Sequence, residues 1–236
     1  MYQAIVVIGG YNSAWPQYLN MARHLEDVSG LQAVGVPLMP WHWWAANRKQ
    51  EGGELLQKLE ETVSWAQRRF GALRLTLVGH SAGGLLARLY LQEQPIWGHV
   101  YAGHEHVSRL ITLGSPHCQD RGTTTDWFLT DMANTLAPGT PYADRIHYSA
   151  VMGRYLRGRG DGDRREQRAF RAYQFLGGEG AVWGDGIVPV AAGQLDGAET
   201  LILEGVAHSR KYDRNWYGGS RAVIRRWWLP RTVDAH

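Results

Sequence analysis

Ser81 lies in the segment GHSAG, residues 79–83, and has the residue type and spacing of an activated nucleophile. The G-x-S-x-G pattern alone is a weak signal, because a chain with 29 glycines produces such matches readily. Here an apolar, β-rich run over 73–78 precedes the pattern, and helical spacing over 82–92 follows it. At such a turn the hydroxyl is exposed, and the helix N-terminus favours developing negative charge. The context predicts a nucleophilic Ser81; the alternative is a glycine-rich turn with an ordinary serine.

A weakly acidic serine hydroxyl needs a base within hydrogen-bond reach, and the base needs an acid that fixes its tautomer. Around a nucleophile at this kind of turn, the acid and then the base follow the serine in the chain. His208 follows the last predicted strand, 199–203, by a short loop that contains glycine, and is the predicted base. The other downstream histidines lie too early or in the tail: His99, His104, His106, His117, His147 and His236.

Asp185 is the predicted acid, because it follows a predicted strand over 170–176 through a glycine-rich loop. Asp196 comes directly before the last strand, at the opposite end of the sheet, and is interpreted as a turn residue. Asp161 and Asp163 lie in an arginine- and glycine-rich stretch that indicates a solvated loop rather than a metal site. The sequence predicts neither a metal ion nor a cofactor.

Two backbone N–H groups are predicted to stabilise the negative charge of the reaction intermediate. One belongs to Ala82, directly after the serine, and the other to Tyr11, in the loop after the first strand. The preceding Gly9-Gly10 pair does not indicate a dinucleotide-binding loop, since residues 11–14 supply no third glycine at the required spacing.

These residues are distributed over a chain in which strands and helices alternate. Predicted strands span 4–8, 31–36, 73–78, 108–113, 170–176 and 199–203, and predicted helices span 16–27, 53–69, 82–92 and 221–228. Such alternation predicts an α/β fold, with a mostly parallel central sheet flanked by helices and functional residues at the carboxyl ends of the strands. The length of 236 residues favours a single domain over 1–236.

Residues 117–168 interrupt this alternation with Gly-, Thr-, Pro- and Arg-rich sequence. Within them lies a short apolar run, Trp127-Phe128-Leu129. Long insertions of this kind in compact domains are usually functional, so we expect a lid or cap over the serine.

Composition and charge argue against several classes of protein. No apolar run approaches the ~20 residues that a membrane-spanning helix requires, and the first residues lack the basic segment of a secretory signal. The single cysteine, Cys118, cannot form an internal disulfide, so the sequence favours a soluble cytoplasmic protein. The net charge of +3 comes from scattered arginines, which indicate a solvated basic surface rather than nucleic-acid binding.

Five short stretches carry a resemblance to a known family. They are VPL at 36–38 followed by Trp43 and Trp44, GHSAGG at 79–84, LGSPH at 113–117, WGDG at 183–186 with Pro189, and EG at 204–205 with HS at 208–209. Through them the chain resembles the bacterial lipase-type α/β-hydrolases, most closely a lipase-like group of cyanobacteria and plastids. The resemblance implies a lipase or esterase in which His117 is structural. Many such lipases carry His-Gly at the oxyanion loop, where this chain has Gly9-Gly10.

Three of the 11 tryptophans, Trp41, Trp43 and Trp44, lie in one predicted loop near the site. They indicate an acyl-binding wall, an interfacial patch that contacts a membrane surface transiently, or core filling beneath the loop. Together with Trp127 and Phe128 in the expected lid, they favour apolar acyl substrates. We therefore predict substrate contacts from Trp43, Trp44, Trp127 and Phe128.

The sequence thus predicts a serine hydrolase that cleaves carboxylic esters of small molecules or lipids through an acyl-enzyme. Two alternatives stay open, because one fold hosts many reactions. The first is a thioesterase that uses the same three residues, and the second is a catalytically silent lipid-binding protein. The oligomeric state is not indicated by the sequence.

Overall fold

A computed structural model describes residues 3–117 and 128–228 of the chain. Its main strands are β1 (Gln3–Ile8), β2 (Gln32–Gly35), β3 (Arg74–His80), β4 (Val107–Leu113) and β5 (His147–Arg154), followed by the short strands β6 (Leu156–Arg157) and β7 (Trp183–Gly184) and by β8 (Glu199–Glu204). Six of them form one parallel sheet in the order β2-β1-β3-β4-β5-β8, while β6 and β7 pair antiparallel with each other. The predicted α/β class with a mostly parallel sheet is confirmed.

Helices cover both faces of this sheet. They are α1 (Leu19–Ser29), α2 (Pro40–Lys49), α3 (Gly53–Phe70), α4 (Ala82–Tyr90), α5 (Phe128–Leu136), α6 (Arg164–Gly177) and α7 (Arg221–Trp227). Helices α1 and α7 pack together on one face, and α3, α4 and α5 lie on the other. Within the described parts of the chain, no helix combines the length and apolar character needed to cross a bilayer.

Strand β1 shows why the sheet needs helices on both faces. Successive side chains of a strand point to opposite faces. Ile5 and Val7 accordingly join the buried cluster of α1 and α7, whereas Ala4, Val6 and Ile8 join the buried cluster of α3, α4 and α5. A strand that is apolar at every position from 4 to 8 therefore separates two cores, as expected for a parallel sheet.

The prediction of a strand over 170–176 is wrong, because these residues belong to α6. The Asp163 carboxylate accepts hydrogen bonds from the N–H groups of Arg165 (2.7 Å) and Glu166 (2.9 Å), and the Glu166 carboxylate accepts one from the Asp163 N–H (2.8 Å). This reciprocal pair is a capping box, which satisfies N–H groups left unpaired at a helix start. Asp163 is thus exposed, as predicted, but it begins a helix.

The loop predicted around the tryptophan cluster is a helix as well. Helix α2 begins at Pro40, whose fixed φ and missing N–H suit the first turn of a helix. Trp41, Trp43 and Trp44 therefore point in different directions: Trp43 is buried, while Trp41 and Trp44 are exposed.

The prediction that residues 117–168 form a lid is wrong for the part that the structure describes. Strand β5 lies inside this range and pairs with β4 on one side and β8 on the other. Helix α5 is also part of the core, since Phe128, Leu129 and Ala133 are buried. Residues 118–127, which include Trp127, lie outside the described residues.

Arg88 of α4 holds α5 in place. Its guanidinium is buried and donates hydrogen bonds to the carbonyl oxygens of Ala133 (3.0 Å) and Ala137 (2.7 Å) and to Asn134 Oδ1 (3.1 Å). The Asn134 amide in turn donates to the carbonyl of His117 (2.8 Å). Buried carbonyl oxygens that lose such donors destabilise the folded state, so α5 is fixed to α4 rather than free to open.

We expect Arg88→Met to lower the free energy of unfolding by roughly 2 to 5 kcal/mol, since buried carbonyl groups lose their charged donor. Urea unfolding followed by tryptophan fluorescence measures the change. The matched control is Arg69→Met, an exposed arginine at the end of α3, which should change the value by no more than about 0.5 kcal/mol. Equal effects of the two substitutions would contradict the anchoring role of Arg88.

Candidate active site

Ser81 lies between β3 and α4 with an unusual backbone conformation. Its φ of 54° and ψ of −126° fall in a region that residues with a Cβ rarely adopt. The Ser81 N–H donates to the carbonyl of Leu113 at the end of β4 (2.9 Å), which ties the turn to the sheet. The strained turn sets the serine at the carboxyl end of β3, in partial contact with solvent.

Glycines allow the chain to approach this turn closely. A Cβ on Gly79 would lie 2.6 Å from the Gly84 nitrogen, and a Cβ on Gly83 would lie 2.7 Å from the Gly9 oxygen. A Cβ on Gly10 would lie 2.7 Å from the Cβ of Ser81 itself. Each distance is shorter than any ordinary carbon contact, so the loop after β1 can pass beside the serine only as glycine.

Asp185 and His208 meet at the carboxyl ends of β7 and β8. The Nδ1 atom of His208 lies 2.7 Å from Asp185 Oδ2, and the backbone N–H of His208 donates to the Asp185 carbonyl (2.8 Å). The other carboxylate oxygen accepts from the N–H groups of Ile187 (3.0 Å) and Val188 (2.8 Å). A carboxylate held in this way fixes the ring orientation and the tautomer of the histidine.

Tyr217 is a further partner of the buried carboxylate, and sequence reasoning missed it. Its hydroxyl donates to Asp185 Oδ2 (2.9 Å) and accepts from the N–H of Gly153 in β5 (2.7 Å). Burial and the neighbouring Asp185 charge raise the pKa of Tyr217 well above its ordinary value, so the phenol stays a donor. Tyr217 therefore holds the Asp185 carboxylate in place.

His80 connects the loop after β1 to the loop that carries His208. Its Nε2 lies 2.7 Å from the His208 carbonyl oxygen, so Nε2 carries the proton and donates. Its Nδ1 then accepts from the hydroxyl of Tyr18 (2.8 Å), which itself accepts from the N–H of Gly10 (3.0 Å). Complete burial lowers the pKa of His80 to about 3, so the ring is neutral at physiological pH.

A cavity of about 690 Å³ joins these elements. Ser81 and His208 both line it, together with Gly10 and Tyr11 from the loop after β1. Ala82 is the first residue of α4, where backbone N–H groups lack an acceptor within the helix. The structure thus brings Ser81, His208 and Tyr11 to one cavity, with Asp185 behind His208.

Two of the aromatic residues predicted to contact substrate are core residues instead. Trp43 is only 1% exposed and packs edge-on behind Tyr11, with ring centroids 6.2 Å apart. Phe128 is buried against Trp97. The prediction for these two is therefore wrong in this structure. Trp44 is 56% exposed and donates from Nε1 to Asn12, which lines the cavity (2.9 Å), so it lies at the cavity rim.

Comparisons with known proteins agree with this architecture. A family model described as a PGAP1-like alpha/beta domain matches residues 54–140, which include Ser81. The product of the Listeria innocua gene lin2722 is 15% identical, has a TM-score of 0.50, and aligns over 95% of this chain and 92% of its own. Phospholipase PlaB from Legionella pneumophila is 14% identical, has a TM-score of 0.55, and aligns over 93% of this chain and 55% of its own.

An alpha-beta serine hydrolase homologue from Coxiella burnetii is 14% identical, has a TM-score of 0.48, and aligns over 94% of this chain and 81% of its own. No curated protein matches the chain in sequence. At identities this low the structural likenesses establish the fold alone. The chain therefore has the α/β-hydrolase fold. The predicted closeness to the group of cyanobacteria and plastids stays a prediction.

The neutral state of His80 makes stability depend on pH. Between its ordinary pKa of 6.5 and its folded pKa of about 3, the unfolded chain binds a proton that the folded chain does not. The free energy of unfolding must therefore fall as the pH falls through this window, by up to about 1.4 kcal/mol per pH unit from this group. We expect His80→Gln to flatten the dependence, as measured by urea unfolding at a series of pH values.

The control for this measurement is His99→Gln, because His99 is exposed. This substitution should leave the pH dependence of the free energy of unfolding as steep as it is in the wild type. Parallel curves for the wild type and His80→Gln would show that His80 takes up its proton in the folded state without penalty.

Proposed function

We propose that the chain hydrolyses carboxylic esters, with Ser81 as the nucleophile, His208 as the base and Asp185 as the acid that orients it. The observation that carries this proposal is that the aspartate-bound His208 opens onto the same cavity as Ser81, whose strained turn exposes its hydroxyl. A buried carboxylate and a strained serine both destabilise a fold, and they are typical of reaction sites.

In the proposed reaction, Ser81 Oγ attacks the ester carbonyl carbon while Nε2 of His208 takes its proton. Asp185 stabilises the imidazolium that forms, through the hydrogen bond at Nδ1. The N–H groups of Ala82 and Tyr11 stabilise the negative oxygen of the tetrahedral intermediate. His208 then protonates the departing alcohol, and water hydrolyses the acyl-enzyme in the same sequence of steps.

The exposed residues at the cavity rim favour a small-molecule or lipid ester with an apolar acyl group as the substrate. Tyr11 and Leu19 line the cavity and are 41% and 38% exposed, and Trp44 donates to Asn12, which lines the same cavity. Exposed aromatic side chains of this kind suit the boundary between water and an apolar ligand or lipid surface. That one protein of the same fold is a phospholipase also favours ester chemistry.

We expect Ser81→Ala to reduce kcat on p-nitrophenyl esters by several orders of magnitude while the unfolding curve stays cooperative, because the hydroxyl is the attacking group. A fluorophosphonate probe should label the wild type and not the variant. A wild-type chain that resists the probe would be the silent lipid-binding protein. Labelling together with much faster hydrolysis of acyl thioesters than of oxygen esters would identify a thioesterase.

Asparagine substitutions of Asp185 and Asp196 form a matched pair of variants that tests which aspartate is the acid. We expect Asp185→Asn to reduce kcat roughly 10²- to 10⁴-fold, because an amide neither stabilises the imidazolium nor fixes the correct tautomer. Asp196 is an exposed residue three positions before β8, and Asp196→Asn should retain the wild-type kcat. Steady-state kinetics on one ester measure both variants, and a larger loss from Asp196→Asn would exclude Asp185 as the acid.

A further inference from the structure

Three cationic side chains line the cavity that contains Ser81 and His208: Arg23, Arg210 and Lys211. We propose that they bind a phosphate-like dianion on the alcohol part of the ester, so that the substrates are acyl esters of phosphorylated alcohols. This inference rests on the proposed ester hydrolysis for its chemistry, but the anion site stands on the cavity itself.

The backbone holds these cations near the candidate catalytic residues. Arg210 and Lys211 follow His208 by two and three residues, inside a turn that the N–H groups of Tyr212 and Asp213 close on the Ser209 carbonyl (2.9 and 3.3 Å). Arg23 projects from α1, one helical turn after Leu19, which also lines the cavity. The cations therefore approach the cavity from two separate parts of the chain.

No carboxylate is present among the described residues that line this cavity, and the acids closest in sequence have other partners. Asp27 pairs with Arg221 at 2.7 Å, and Glu26 accepts from the N–H of Ala33 (3.1 Å). Asp213 accepts from the N–H of Asn215 (2.8 Å).

Within the described chain, Arg23, Arg210 and Lys211 form no ion pair. Among the described residues, the positive charge of the cavity is therefore not neutralised by carboxylates, which favours an anionic ligand.

The position of His208 decides which part of the ester carries the anion. In the proposed reaction His208 protonates the departing alcohol, so the residues directly after it face the alcohol part rather than the acyl chain. Uncharged polar groups, including Gln17, Asn20 and Ser209, line the same cavity and can hydrogen-bond to an anion. A phosphate monoester carries a charge of about −1.5 to −2 and three acceptor oxygens, which suits several converging cations better than a carboxylate does.

The test compares two soluble esters with the same acyl chain, monobutyrylglycerol and its phosphate monoester. We expect the wild type to hydrolyse the phosphate monoester with a kcat/KM higher by roughly tenfold to a hundredfold, as charge-assisted hydrogen bonds allow. The ratio of the two kcat/KM values should fall towards one in the triple variant Arg23→Gln, Arg210→Gln, Lys211→Gln, and also at high salt. A wild-type ratio near one would overturn the proposal.

The matched control is a second triple variant, Arg69→Gln, Arg225→Gln, Lys49→Gln. It removes the same number of positive charges from exposed positions that do not line the cavity. It should keep the wild-type ratio. Loss of the ratio in this control as well would mean that net charge, and not the cavity, attracts the phosphate.

A binding measurement separates the anion site from the proposed catalysis. Calorimetric titration with glycerol phosphate should give saturable binding to the Ser81→Ala protein, and the three glutamines should abolish it. Binding without hydrolysis of either ester would refute the proposed function and leave the anion site standing. Hydrolysis without binding and without preference would refute the anion site and leave the proposed function standing.

A vesicle assay distinguishes cations that recognise the substrate from cations that recognise the membrane around it. Long-chain monoacylglycerol is offered in neutral phosphatidylcholine vesicles and in vesicles with added phosphatidylglycerol. If the cations recognise the substrate, the soluble phosphate monoester is preferred without any vesicle. Faster hydrolysis in anionic vesicles with no preference between the soluble esters would instead assign the cations to an anionic lipid surface and overturn the proposal.

Discussion

A carboxylate withdrawn from water must be compensated by hydrogen bonds, because an unpaired buried charge strongly destabilises a folded protein. Asp185 is 1% exposed and accepts from the backbone of its own loop, from Tyr217 and from His208. Tyr217 is bound in turn by the N–H of Gly153 on β5. Four separate segments, the ends of β5, β7 and β8 and the stretch before α7, are thus arranged around one negative charge. The hydrogen bonds that stabilise the carboxylate also orient the His208 ring.

The neighbouring glycines show how tightly this arrangement is packed. Gly114 follows β4 with a φ of 55°, and a Cβ there would lie 2.5 Å from Asp185 Oδ2 and 2.8 Å from the Tyr217 hydroxyl. The neutral ring of His80 completes the support on the side of the serine, since it links the Gly10 loop through Tyr18 to the His208 carbonyl. A charged ring at this position would have to lose its water in a buried site next to His208, and therefore burial keeps it neutral. The serine turn and the histidine loop are thereby held by groups that need not contact the substrate.

Features of the fold that depend on a local sequence pattern could be predicted from the sequence. The apolar run of β3 followed by glycines and a helix predicted the turn at Ser81, and the short loop after β8 predicted that His208 would lie at the same end of the sheet. Asp185 does lie against His208, although the strand expected before it is helix α6. The capping box of Asp163 and Glu166 was the signal for that helix, but the surrounding glycines and arginines favoured a loop. Strand β5 was missed because it is buried on both faces and lacks the alternation that marks a half-exposed strand.

Features that depend on tertiary contact were outside the reach of sequence patterns. Tyr217 and Asp185 are separated by 32 residues, and Tyr18 and His80 by 62, so no spacing rule connects them.

The distribution of charge around the cavity also depends on tertiary contacts. A net charge of +3 over scattered arginines indicates an ordinary basic surface when it is considered along the chain. The fold places the start of α1 and the loop after β8 on one cavity, so cations almost two hundred residues apart converge beside Ser81 while their neighbouring acids are engaged elsewhere. Local charge is therefore a property of the tertiary fold here, because the fold brings distant cations to one cavity.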